Sequence, residues 1–164
     1  VRTAPVFNHA GVTVPDLDAG IAFYQGMLGL NLLGGPLEIG REDEPFGEVL
    51  GDIFGPRWAR LRVAFLSTRE GTGLELFEFV RPATVRPDEV EYWRTGPFHL
   101  CLTWPDVSEL ADRIVAGGGK QRSKVWTLFP DCDVVYCEDP FGTLIEVSSR
   151  SFERTWANRD GGAA

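Results

Sequence analysis

Phe7-Asn8-His9-Ala10-Gly11-Val12-Thr13-Val14-Pro15-Asp16-Leu17 and Phe98-His99-Leu100-Cys101-Leu102-Thr103-Trp104-Pro105-Asp106-Val107 are two versions of one phrase. They carry the two histidines of the chain. In both, a β-like run separates His from a Pro-Asp pair, and an apolar residue comes next. A second phrase is repeated as well. Gly71-Thr72-Gly73-Leu74-Glu75-Leu76 answers Gly142-Thr143-Leu144-Ile145-Glu146-Val147, with Glu at the same distance from Gly each time. A fixed internal repeat sets the architecture before any single element is assigned. Here it predicts two copies of one supersecondary unit, each with a His-bearing and a Glu-bearing strand.

Working outward, each copy reads strand, helix, then three strands, over about residues 6–81 and 97–149. In the first, residues 6–14 are rich in Val and Phe and predict a strand that Pro15-Asp16 stops. Asp16 is a good helix N-cap because its carboxylate can accept an unpaired backbone N–H of the first turn. Leu17, Ile21, Tyr24 and Leu28 recur at helical spacing, and Gly29 marks the end. Residues 30–39 predict a weaker strand, and the Gly-, Pro- and acid-rich residues 40–59 a long loop of the kind that borders functional sites. Residues 60–66 and 73–80 predict two strands around a turn. Residues 82–96 are a linker. In the second copy, residues 98–104 are the strand. Asp106 and Glu109 form a capping box for a helix buried along Val107, Leu110, Ile114 and Val115. Gly117-Gly118-Gly119 ends that helix. Strands are expected over 120–128, 133–138 and 143–149, with a frayed tail from Arg150 to residue 164.

Composition narrows the function classes. One domain is expected at 164 residues, and 43% apolar content is ample for its core. A net charge of −8 opposes nucleic-acid binding, although a local basic patch can still hold an anion. No apolar run is long enough for a membrane span, and no signal peptide is expected. Cys101, Cys132 and Cys137 form neither a zinc pattern nor a disulfide framework, which suits a reducing cytoplasm.

Side chains alternate faces along a strand, so His9 shares a face with Gly11 and Thr13, and His99 with Cys101 and Thr103. Glu75 goes with Phe77 and Phe79, and Glu146 with Leu144 and Ser148. A carboxylate on an otherwise apolar face is costly unless it is paired or bound to metal. Two imidazoles and two carboxylates therefore point to one divalent ion. Mixed N/O ligation suits Zn, Ni, Co, Fe or Mn without choosing among them.

With these phrases in view, the chain resembles the vicinal oxygen chelate superfamily, which includes glyoxalase I, methylmalonyl-CoA epimerase, fosfomycin resistance enzymes, bleomycin-binding proteins and extradiol dioxygenases. The resemblance runs from about Val6 to Ser149. It rests on the His-strand-Pro-Asp-helix openings, Ala22-Phe23-Tyr24, Leu28-Gly29-Leu30, and above all Asp139-Pro140-Phe141-Gly142-Thr143-Leu144-Ile145-Glu146. It implies an α+β fold of two βαβββ modules forming an incomplete barrel around a metal-binding cavity. It also implies metal ligands at His9, Glu75, His99 and Glu146, a pattern similar to that of the isomerase and lyase branches. In glyoxalase-like members a ligand Glu serves as the base, which makes Glu146 the first candidate and Glu75 the second. The expected activity is proton abstraction α to a carbonyl of a small chelated substrate. The alternatives are an extradiol-type dioxygenase or thiol transferase, and a non-enzymatic drug-binding protein. A homodimer is expected, and the ligands of one ion can come from one chain or two.

Several residues compete for roles. Glu78 rivals Glu75 but falls on the other strand face, so it is expected to be solvated or at a dimer face. Cys101 points the same way as His99 and is expected to be a small buried apolar residue. Arg122 and Lys124 are expected to form a solvated charge cluster. Phe77, Phe79, Trp104, Trp126 and Phe129 are expected to be mostly core.

Overall fold

The computed structural model describes residues 4–157. The chain divides between Arg86 and Pro87 into two compact units. In the first, β1 (His9–Thr13) leads into α1 (Leu17–Ile21), which continues as a π-helical stretch over Ala22–Met27. β2 (Asn31–Gly40), α2 (Phe46–Phe54), β3 (Arg60–Ser67) and β4 (Gly73–Arg81) follow. The sheet order is β1-β4-β3-β2, with β1 parallel to β4 and the other pairs antiparallel. In the second, β5 (His99–Thr103), α3 (Val107–Ala116), β6 (Lys120–Gln121), β7 (Trp126–Phe129), β8 (Cys132–Glu138) and β9 (Leu144–Ser148) precede the short α4 (Phe152–Trp156). Its order is β5-β9-β8-β6, with β7 also on β8, and again only the His and Glu strands run parallel. The fold is thus α+β, with two βαβββ-like modules and two mixed sheets, as the repeat predicts.

The helix caps form as the sequence chemistry requires. Asp16 accepts the Ala19 N–H and Asp106 the Glu109 N–H, each at 3.0 Å. The reciprocal half of the second capping box is replaced: the Glu109 carboxylate accepts from Trp104 Nε1 and pairs with Arg113. The first helix ends in a wide turn, with Leu28 N–H bonded to the Phe23 carbonyl five residues back. On α3, Leu110, Ala111 and Ile114 are buried beside Val107, whereas Val115 is exposed. The buried stripe passes through Ala111 because it lies four residues after Val107 and three before Ile114.

The long loop expected over residues 40–59 contains α2. Phe46, Leu50, Ile53 and Phe54 recur at i, i+4, i+7 and i+8, a helical face that the glycines and acids around it conceal. Gly47 lets this helix start close to the chain, since a Cβ there would lie 2.2 Å from the Arg41 carbonyl oxygen. Gly55, with a φ of 77°, ends it. Arg41 secures its far end, donating to the carbonyls of Trp58 and Gly55. Trp58, Leu61, Val63 and Ile39 form the buried core beneath, against Leu50 and Phe54. The expected frayed tail is partly ordered. Residues 152–156 are helical, Ser151 caps them, and Trp156 packs edge-on against Phe129. Residues 158–164 lie outside the described residues. Among those described, no helix is long and apolar enough to cross a membrane.

Candidate metal centre

Strand register decides which side chains meet. In the first unit, Gly11 of β1 pairs with Glu75 of β4, and His9 pairs with Gly73. In the second, Cys101 of β5 pairs with Glu146 of β9, and His99 with Leu144. The Glu therefore stands two residues along from the His partner in both units. Because paired residues share a face, imidazole and carboxylate converge. His9 Nε2 lies 3.4 Å from Glu75 Oε2, and His99 Nε2 lies 3.0 Å from Glu146 Oε2. Gly73 belongs to this arrangement, since a Cβ there would stand 2.8 Å from the His9 Cβ.

Asn8 Oδ1 sits 2.7 Å from His9 Nδ1, the geometry of an Nδ1–H donated to the amide oxygen. That tautomer turns the lone pair of Nε2 toward Glu75. Two lone-pair atoms so close attract only when a proton or a cation lies between them. His99 Nδ1 is buried with no hydrogen-bond partner, while its ring packs against Phe98 and edge-on to Tyr136. Among the described residues, no group of three or more His, Cys, Asp or Glu side chains that could hold a metal ion is gathered, and each unit holds one imidazole–carboxylate pair. The donor set fits a divalent transition metal.

The two pairs differ in one neighbour. Phe65 lies across from Glu75 on β3, and Tyr136 lies across from Glu146 on β8. The Tyr136 hydroxyl donates to Glu146 Oε2 at 3.0 Å, a bond that Phe65 cannot supply to Glu75. Burial first, and then the Glu146 carboxylate, push the Tyr136 phenol up to about 12. It therefore remains a proton donor at neutral pH. Cys101, expected to be a buried apolar residue, is instead exposed and lines a cavity beside Glu146; desolvation against the cavity wall, and then the charge of Glu146, push its thiol up to about 12, which leaves it a thiol rather than a thiolate nucleophile. Sequence reasoning passed over Tyr136. The available signal was its place in the alternation of β8, but only the register shows which carboxylate it faces.

Glu78 is neither solvated nor free. It accepts the Leu17 N–H at 2.9 Å and pairs with Arg62, which also holds Asp18. Arg122 pairs with Glu138, and Lys124 Nζ lies 3.7 Å from the Trp126 ring centroid, so neither is a simple solvated cation. Trp126 is half exposed and lines a cavity of about 580 Å³ in the second unit, together with His99, Cys101, Glu146 and Trp156. Trp104 is also partly exposed rather than core. The first unit carries a cavity of about 690 Å³ that contains His9 and Glu75.

The family model described as Glyoxalase/Bleomycin resistance protein/Dioxygenase superfamily matches residues 6–147. Among solved structures, a glyoxalase family protein from Bacillus cereus is 23% identical with a TM-score of 0.72, over 90% of this chain and 95% of that one. Glyoxalase I from Zea mays is 23% identical with a TM-score of 0.60, over 88% of this chain and 44% of that one. A fosfomycin resistance protein from Listeria monocytogenes, solved with Mn(II) and sulfate ion, is 17% identical with a TM-score of 0.57, over 94% and 98%. No curated protein matches the chain.

Proposed function

The chain belongs to the Glyoxalase/Bleomycin resistance protein/Dioxygenase superfamily, and from that premise we propose that it is a metal-dependent isomerase or lyase of glyoxalase or epimerase type. In this reading His9, Glu75, His99 and Glu146 are the protein ligands of one divalent ion. The observation that carries the reading is the pair of matched imidazole–carboxylate contacts at the same strand register. A divalent ion bound there supplies Lewis acidity to vicinal oxygens of a small α-oxygenated carbonyl substrate. Glu146 takes the proton α to the carbonyl and Glu75 is second in line for that role. The Tyr136 hydroxyl distinguishes the two carboxylates, since it fixes the Glu146 oxygen it bonds and holds a proton beside it. In this reading the chain acts in a reducing compartment, which its three free cysteines suit, and works as a homodimer.

The test joins elemental analysis of purified protein to solvent deuterium exchange at the carbon α to a carbonyl. The substrate panel comprises 2-oxo-aldehyde hemithioacetals and acyl thioesters. One divalent ion per chain and metal-dependent exchange of at least one panel member are expected. Metal-loaded protein that exchanges nothing overturns the isomerase or lyase reading.

A further inference from the structure

The two histidine phrases differ in the residue beside the imidazole: Asn8 precedes His9, and Phe98 precedes His99. The Asn8 amide oxygen takes the Nδ1–H of His9 at 2.7 Å. His9 Nε2 therefore carries a lone pair and faces Glu75 Oε2 across 3.4 Å, with no hydrogen of its own to close the gap. Phe98 has no acceptor to offer. Its ring lies against that of His99, centroids 4.6 Å apart, and His99 Nδ1 is buried without a partner among the described residues. Only the Nε2–H tautomer of His99 makes a hydrogen bond, to Glu146 Oε2 at 3.0 Å. The other tautomer loses that bond and leaves an N–H orphaned at Nδ1.

The neighbours of the carboxylates extend the contrast. Tyr136 donates to the same Glu146 oxygen that faces His99, so this oxygen holds two hydrogens. Gly11 and Phe65 stand opposite Glu75, and neither has a side-chain donor. Cys101 and Tyr136 stand opposite Glu146, and both have one. Exposure runs the same way. The His9 and Glu75 side chains are 48% and 29% exposed, those of His99 and Glu146 25% and 19%. The first pair is open and short of a hydrogen, whereas the second is closed and complete.

We infer that the two pairs are unequal ligands of the divalent ion: Asn8 is a positioning residue that keeps His9 Nε2 free, so His9 and Glu75 capture the ion, whereas His99 and Glu146 are closed on each other and must be opened. The inference deepens the reading above and rests on it for the ion itself. Opening has a defined balance. His99 gives its Nε2 hydrogen to water and takes one from water at Nδ1, where no acceptor waits. The ring stays neutral, and the bond to Glu146 is exchanged for a coordinate bond. The orphaned N–H weakens ligation through His99, while ligation through His9 needs no hydrogen to move.

Because the chain has two histidines, NMR of the imidazole nitrogens reports each tautomer directly. The metal-free chain is expected to show Nδ1–H at His9 and Nε2–H at His99, and saturation with Zn(II) to change the second alone. Titration with Zn(II) against a chromophoric chelator measures affinity. Asn8→Phe should weaken Zn(II) binding about tenfold and move the His9 hydrogen to Nε2, and Asn8→Asp, which keeps the acceptor, should do neither. Phe98→Asn, at a position 44% exposed, gives His99 Nδ1 an acceptor and should tighten Zn(II) binding about tenfold. The same tautomer at both histidines of the metal-free chain, an Asn8→Phe protein with wild-type affinity, or a Phe98→Asn protein with no gain overturns the inference. So does an Asn8→Phe protein that loses stability with its His9 tautomer unmoved, which is the mark of a merely structural role. The functional reading fails on separate grounds, when Zn(II)-loaded protein with the expected tautomers exchanges no member of the substrate panel.

Discussion

Removing the Glu78 side chain is expected to destabilise the protein without touching metal binding, while removing Glu75 does the reverse. Glu78 Oε2 accepts the Leu17 N–H at 2.9 Å and pairs with Arg62 at 2.9 Å. Leu17 is fully buried, so in Glu78→Ala its N–H, at the first turn of α1, loses the acceptor it has among the described residues in a part-buried setting. An orphaned donor of this kind costs about 1–3 kcal/mol. Arg62 keeps Asp18 but loses a partner that is only 19% exposed, a further loss of roughly 0.5–1 kcal/mol. The sum is about 1.5–4 kcal/mol, or a fall in Tm of roughly 3–16 °C for a chain of this size. Glu78→Gln keeps an oxygen to accept the N–H and should cost about 1 kcal/mol or less. Urea and thermal unfolding followed by circular dichroism measure the stability, and metal titration of the same proteins measures affinity. Glu75→Ala should lose metal affinity at least about tenfold, since in the proposed reading it removes a ligand from a half-buried site. Equal metal losses in the Glu75 and Glu78 variants, or an unaltered Tm in Glu78→Ala, refute this assignment of the two carboxylates.

Glu146→Gln is expected to fold and retain part of its metal affinity, because an amide oxygen can still coordinate, yet to lose α-proton exchange for want of a base; exchange at the wild-type rate excludes Glu146 from that role. Asp139→Ala should cost about 2–4 kcal/mol in urea unfolding, since this buried carboxylate accepts the Phe141 and Thr143 N–H groups at 2.9 and 2.7 Å and closes the turn into β9; a change below about 0.5 kcal/mol contradicts that role. Burial pushes the Cys137 thiol up to about 11, so the folded state holds its proton more tightly than the unfolded state does. Its contribution to stability is therefore complete below the ordinary thiol range and is lost between about pH 9 and 11, where the unfolded thiol ionises first. Denaturant titrations over that interval should show a shallower decline in Cys137→Ala than in wild type, and parallel curves would count against the assignment.

The repeated phrases carry local chemistry, and what depends on local chemistry was legible in them. Asp16 and Asp106 cap their helices because a carboxylate beside an open first turn finds its N–H wherever the helix points. The period-two alternation put His9 with Gly11, His99 with Cys101, and Glu75 apart from Glu78, and the family resemblance added the expectation that His9, Glu75, His99 and Glu146 are metal ligands. The sequence alone thus determined two modules and a face for each of the four side chains. Distance in space was decided by strand pairing. Which residue of β4 sits beside Gly11, and which aromatic crosses to Glu146, depend on hydrogen-bond register between segments far apart in the chain. A shift of one residue would reverse every face without altering the local pattern. The same limit hid α2, whose apolar residues become a helical face by packing over Trp58 and Leu61. It also hid the role of Glu78, whose partners Leu17 and Arg62 lie 61 and 16 residues away. Tertiary packing, which brings such groups out of water together, is what turned a strand-face glutamate into the anchor of a helix.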